Sequence, residues 1–151
     1  MTDRVSNDEV LYRRVPNDPL NFSTSIDGIL QVDSHAFMDP SQQISVDRAK
    51  LCNFDPTYTQ NKNSLNGVVK LVAQDIRKID DIEHGTTHAQ YGFDVIPAPV
   101  KNHPEIEDNL AHAEIWSDPR NMSKNVFRRL RRALAMIANK YGWLILPEDA
   151  R

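Results

Sequence analysis

Residues 123–142, SKNVFRRLRRALAMIANKYG, decide the fold class through the spacing of their apolar side chains. Phe127, Leu130, Leu134, Ile137 and Tyr141 follow one another at intervals of 3, 4, 3 and 4, which sets all five on one face of an α-helix. Ser123 offers an N-cap oxygen, and Gly142 tolerates the left-handed backbone that ends a helix. Outside this stretch the pattern changes from helical to alternating. Residues 143–146 read as a strand stopped by Pro147. Upstream, residues 10–15, 29–32, 44–47, 67–73, 91–96 and 111–116 are short β-favouring runs. Turn formers such as Pro16, Gly28, Asp39-Pro40 and Pro97 separate them. The strongest is Gly67-Val68-Val69-Lys70-Leu71-Val72-Ala73, dominated by β-branched residues, with a helical turn predicted after it at 74–77. The expected architecture is α+β: a bent, mostly antiparallel sheet with one long C-terminal amphipathic helix packed on it, followed by a final strand.

A chain of 151 residues suits a single domain that buries a core without staples. Residues 1–8 are expected to be a loose start, with long loops at 53–66 and 80–90. A hydrophobic share of 40% against 26% charged argues for a globular chain over a disordered one. The one cysteine, Cys52, cannot close an internal disulfide. The opening MTDRVSNDEV lacks the apolar stretch of a secretory signal, and no run approaches the ~20 apolar residues of a membrane span. These features predict a cytoplasmic protein without membrane contact.

Charge is distributed unevenly. Segment 120–140 holds seven basic residues and no acid, so it carries +7; against a net charge of −3, the rest of the chain carries −10. With the apolar stripe turned inward, Lys124, Arg128, Arg131 and Arg132 spread over the outer face of the helix. Like charges at such spacing do not favour a helix, whereas guanidinium forks suit phosphates and carboxylates. The segment therefore reads as a surface for nucleic acid or an acidic protein partner. The alternative is a solvated face balanced by the chain's own Asp80, Asp81, Glu83, Glu105, Glu107 and Asp108. No aromatic residues interleave the arginines, so single-strand stacking is not indicated.

Other residues offer chemistry. His112, on a predicted strand, is a candidate general acid or base, or else a core histidine satisfied by a hydrogen bond. Arg13 or Arg14, Arg48 and Arg77 lie at β-like runs beside Asp47 and Asp75. They either make structural ion pairs or converge with His112 on an anion-binding pocket. The candidate catalytic set is His112, Arg13 and Asp47, with Arg48 and Arg77 as further binding residues. His84 and His88 have the four-residue spacing of metal ligands only in a helix, and Gly85-Thr86-Thr87 between them argues for a loop. Neither a metal nor a cofactor is expected. Arg14, Ser23-Thr24-Ser25 and Glu114 superficially match the arginine, serine and glutamate order of ADP-ribosyltransferases, but eight residues between arginine and serine is too few for that family's strand arrangement.

The order Leu11-Tyr12-Arg13-Arg14, Ile44-Ser45-Val46-Asp47-Arg48-Ala49 and Asn109-Leu110-Ala111-His112-Ala113 resembles a group of small bacterial proteins to which no activity is attached. The resemblance covers residues 10–116. It implies a bacterial origin and draws attention to Arg13, Asp47, Arg48 and His112 as neighbours. The leading expectation is a non-catalytic bacterial accessory protein that binds a macromolecular partner, nucleic acid or acidic protein, through the basic helix. A small nuclease or nucleotide-handling transferase using His112 with Arg13, Arg48 and Arg77 is the alternative, and one member of a toxin–antitoxin or defence pair is a third. Oligomeric state is left open.

Overall fold

The computed structural model describes residues 3–79 and 91–151 in full, and the backbone of residues 83–84 and 89–90. Among the described residues ten strands and two α-helices follow in chain order. The strands are β1 (Val10–Val15), β2 (Phe22–Thr24), β3 (Leu30–Val32), β4 (Ile44–Arg48), β5 (Gly67–Val72), β6 (Glu83–His84), β7 (Ala89–Gln90), β8 (Gly92–Pro97), β9 (His112–Asp118) and β10 (Trp143–Ile145). The helices are α1 (Ala73–Arg77) and α2 (Lys124–Tyr141). Six strands form one sheet in the order β10-β5-β1-β4-β9-β8, and every neighbouring pair is antiparallel. β2 pairs with β3 and β6 with β7 as separate two-stranded ribbons. The fold is the α+β class predicted, with the long helix and the strand after it in place.

Alternation divides the sheet. Leu11 and Val15 on β1, Ile44 and Val46 on β4, Val69 and Leu71 on β5, and Ala113 and Ile115 on β9 are buried on one face. Against that face lie Val126, Phe127, Leu130, Leu134, Ala135 and Ala138 of α2, closing the main core. The helix is anchored at several points. Ser123 Oγ accepts the Val126 N–H at 3.2 Å, and Gly142 follows at φ 82°, a conformation that disfavours side chains. Near its C-terminal end, the Asn139 amide pairs with both backbone groups of Val32, at 2.9 and 3.0 Å. That contact ties the β2–β3 ribbon to the helix. Gly67 is required by close approach: a Cβ there would stand 2.8 Å from Pro147 Cδ.

The opposite face carries a smaller cluster, Tyr12, Val68, Ala49, Cys52 and Ala111, roofed by single-turn segments at Ala49–Cys52 and Pro56–Gln60. The stretch read as a long loop at 53–66 thus contains a helical turn, capped by Asp55, whose side chain accepts the Thr57 N–H at 3.0 Å. The opening residues are held down as well: Val5 is fully buried, and the carbonyls of Asp3, Arg4 and Val5 accept from Arg48 and Arg77. Residues 22–24 form a strand paired with β3, and Phe22 packs edge-on to Trp143 with ring centroids 6.5 Å apart. Among the described residues no helix is long and apolar enough to cross a membrane.

β1 pairs with β5 along all six of its residues, from Val10↔Val72 to Val15↔Gly67. It meets β4 only at Leu11↔Arg48 and Tyr12↔Asp47. Beyond Tyr12 the two strands part, and the gap between them opens the cleft described next.

Candidate functional site

Two features stand out: a cationic ridge on α2 and a polar cleft on the sheet face away from it. On the ridge, Lys124, Arg128, Arg132, Met136 and Lys140 recur every four residues and all are exposed. Each step is about 6 Å along the axis at 1.5 Å per residue. Among the described residues none of the four cations forms an ion pair, the observed pairs lying elsewhere on the molecule. The Lys140 ammonium rests over the Tyr141 ring at 5.3 Å. Helix energetics oppose this arrangement. Cations four apart repel one another, and those in the N-terminal half face the positive end of the helix dipole, where the first turn holds no acid.

The expected outer-face set changes in two respects. Arg131 is half-buried: its guanidinium lies over Phe127 at 5.0 Å, and its Nε is enclosed without a hydrogen-bond partner. Burial, with Arg128 and Arg132 nearby, lowers its pKa. Position 131 is four residues from Phe127 and borders the apolar stripe, so its side chain folds back instead of projecting. Lys140, by contrast, joins the ridge, and counting in fours from Lys124 finds it in the sequence. Of the acids expected to balance this face, Glu107 pairs with Lys62 at 2.7 Å, and Asp108 accepts the Asn102 N–H at 2.9 Å. Asp80, Asp81, Glu83, His84 and His88 lie outside the fully described residues. Among the described residues no group of three or more His, Cys, Asp or Glu is arranged to hold a metal ion.

The cleft has a volume of about 860 Å³ and is lined by Tyr12, Arg13, Arg14, Ser45, Asp47, Tyr58, Asn109, His112 and Glu114, among others. The whole candidate catalytic set, His112, Arg13 and Asp47, therefore opens on one space. Strand register accounts for two of them: Tyr12↔Asp47 and Asp47↔His112 are direct cross-strand partners, so Tyr12, Asp47 and His112 share one face, whereas Arg13 stands on the other and reaches the space at its edge. Asp47 is buried, with Oδ2 accepting from Thr59 Oγ1 at 2.8 Å and Oδ1 from Asn109 Nδ2 at 2.9 Å. Asn109 Oδ1 in turn accepts from the Tyr58 hydroxyl at 2.7 Å. Burial raises the Tyr58 pKa, and the Asp47 charge adds to it. Asp47 is thus a scaffold for the loops at the cleft's end.

His112 is held differently. Its Nδ1 lies 2.8 Å from the Ala98 carbonyl. A carbonyl only accepts, so Nδ1 carries the proton, and in the neutral ring Nε2 keeps its lone pair. Among the described residues Nε2 has no partner. Glu114 uses Oε1 to accept from the Trp116 indole at 3.0 Å, leaving Oε2 open.

The three arginines proposed to hold an anion with His112 are otherwise engaged. Arg48 is 1% exposed and forks onto Glu9 at 2.7 and 3.0 Å. Arg77 donates to Asp94, Asn7 and the Val5 carbonyl at 2.7, 2.8 and 2.7 Å. Both are taken up by the N-terminal segment and by Glu9 or Asp94, and neither lines the cleft. Arg13 reaches into the gap between β1 and β4. There it donates to the Ala36 carbonyl at 3.0 and 2.9 Å and to the Ser45 carbonyl at 2.8 Å, standing in for the missing ladder bonds. Burial pushes its pKa down to about 10, Asp39 opposing and Arg14 adding to the shift, so it keeps its charge near neutrality while Nε and both terminal nitrogens are engaged by backbone carbonyls.

Of Arg13 and Arg14, read as alternatives from the sequence, Arg14 is the one whose guanidinium stays uncommitted among the described residues. It is exposed, lines the cleft and has no partner among the described residues. The signal was available: Leu11, Arg13 and Val15 alternate onto the core face, which turns Tyr12 and Arg14 to the other. Glu114, Tyr58 and Asn109 were also missed as cleft residues, because the segments carrying Tyr58 and Asn109 lie 51 residues apart and meet only in the folded chain. Ser23, Thr24 and Ser25 do not line this space.

No family model, curated protein or solved structure matches the chain.

Proposed function

We propose that this chain is a bacterial accessory protein that binds nucleic acid along the outer ridge of α2. The carrying observation is the row Lys124, Arg128, Arg132 and Lys140, exposed and, among the described residues, without a carboxylate partner. The row is unfavourable for the helix that bears it, and exposed cations in line are what a phosphate backbone neutralises. A bacterial origin, expected from the motif order over residues 10–116, and a cytoplasmic location belong to the same proposal.

The reading is tested by fluorescence anisotropy with a labelled duplex across a salt series. Three to four phosphate contacts give a slope of about −2.7 to −3.6 in log K against log salt. The Lys124→Glu/Arg128→Glu/Arg132→Glu variant is expected to bind weakly and to lose most of that slope. Retention of full binding and slope by this variant refutes the ridge as the surface. Failure of the native protein to bind duplex or single-stranded probes at about 50 mM salt points to an acidic protein partner instead, as in a toxin–antitoxin or defence pair.

A further inference from the structure

The cleft is built apart from the ridge, and its lining changes character in an ordered way along the strands. Tyr12, Asp47 and His112 form one row across β1, β4 and β9. Arg14, Ser45 and Glu114 stand two residues further on, all displaced in the same direction because neighbouring strands are antiparallel. The second row is therefore about 7 Å from the first. At the Asp47 end lie Tyr58 and Ile106, 43% and 58% exposed, and the Tyr58 ring is fixed by its hydroxyl bond to Asn109. His112 Nε2 is an open acceptor in the first row, and Glu114 Oε2 is another in the second. At the far end stands Arg14, a guanidinium without a partner among the described residues, with the Arg13 charge behind it.

From the Asp47 end the lining thus passes from an aromatic ring and an aliphatic side chain, through His112, to a row that carries both Glu114 and the Arg14 cation. We propose that this cleft binds a ribonucleotide, with its base against Tyr58 and Ile106, its sugar hydroxyls donating to His112 Nε2 and Glu114, and its phosphate on Arg14. Each part has a chemical reason. Aromatic rings stack unpaired bases, an acidic side chain is a common partner of ribose hydroxyls, and arginine forks match phosphate oxygens. The volume of about 860 Å³ falls within the roughly 300–1,000 Å³ of small-molecule sites. Asp47, the other acid beside the acceptors, has both oxygens occupied, so Glu114 is the one whose free oxygen meets the sugar.

The experiment is calorimetric titration of the full chain with purine and pyrimidine ribonucleoside monophosphates, the matching nucleosides, and inorganic phosphate. At least one monophosphate is expected to bind more tightly than its nucleoside. Arg14→Gln should weaken that monophosphate about tenfold or more and leave the nucleoside unchanged. Tyr58→Ala should weaken both, while Tyr58→Phe, which keeps the ring, stays close to native. Arg14 and Tyr58 are exposed, and an unchanged thermal midpoint verifies that each variant folds. Arg132→Glu on the ridge is expected to leave nucleotide binding intact, so failure of the nucleic-acid reading and failure of this one are separable. If no monophosphate binds with a dissociation constant below about 1 mM, or if binding survives both Arg14→Gln and Tyr58→Ala, the proposal is overturned.

Discussion

Removing Glu9 while leaving Arg48 in place is expected to be among the most damaging single changes in this fold. Arg48 is 1% and Glu9 5% exposed, and the two form a forked pair at 2.7 and 3.0 Å. The remaining guanidinium bonds go to the carbonyls of Asp3 and Arg4, at 2.9 and 3.4 Å. Glu9→Gln strips the counter-charge from a cation with no route to water, which costs about 3–5 kcal/mol, a large part of the 5–15 kcal/mol typical of a domain. Arg48→Met falls nearer the lower end, because Glu9 keeps the Ser6 N–H at 2.9 Å and Lys50 at 3.6 Å. The double variant should recover about 2 kcal/mol relative to the sum, since neither charge is then stranded. Urea unfolding at neutral pH, with slopes compared, measures all three.

The same pair sets an acid limb. Burial alone would raise the Glu9 pKa, but the Arg48 hydrogen bond, the Ser6 N–H and the charges of Arg48 and Lys50 together hold it below 4.5. A carboxylate lowered in the folded state contributes stability that is complete above its unfolded value and disappears as pH falls through the folded one. The stability difference between native and Glu9→Gln should therefore shrink below pH 4.5. Either single variant within about 1 kcal/mol of native, or a double variant no better than additive, would refute this reasoning and reopen Arg48 as a ligand residue.

Two further outcomes follow from the core. Leu134→Ala, at a fully buried position of α2, should cost about 2–5 kcal/mol by urea unfolding; a loss under 1 kcal/mol would mean the stripe is not packed as described. Burial and the Asp47 charge push the Cys52 thiol from 9.0 up to about 11. Its iodoacetamide alkylation in the folded protein at pH 8 should be slower than in denaturant by about a hundredfold or more, and equal rates in both states would contradict its enclosed position.

The residues differ in how far their roles were readable before folding. Phe127 through Tyr141 repeat with the helical period, and α2 follows from that spacing together with Ser123 and Gly142. The same holds for β5, where β-branched residues leave little alternative. Arg13 and Arg14 mark the limit of such reading. They are neighbours on one strand and look interchangeable, yet one closes the gap between β1 and β4 and the other faces the cleft. Alternation shows that they point opposite ways, but the parting of β1 from β4 fixes what each one meets. Arg48 and Arg77 were harder still, because their acids, Glu9 and Asp94, are 39 and 17 residues away.

The chain alone determined its class, its long helix and the concentration of positive charge on that helix, since all three depend on intervals of a few residues. Tertiary structure decided which cations remain in water, which are consumed as internal props, and that His112, Glu114, Arg14 and Tyr58 share one space. Those outcomes depend on which strands become neighbours and where two of them separate, a competition among distant contacts that local spacing does not encode.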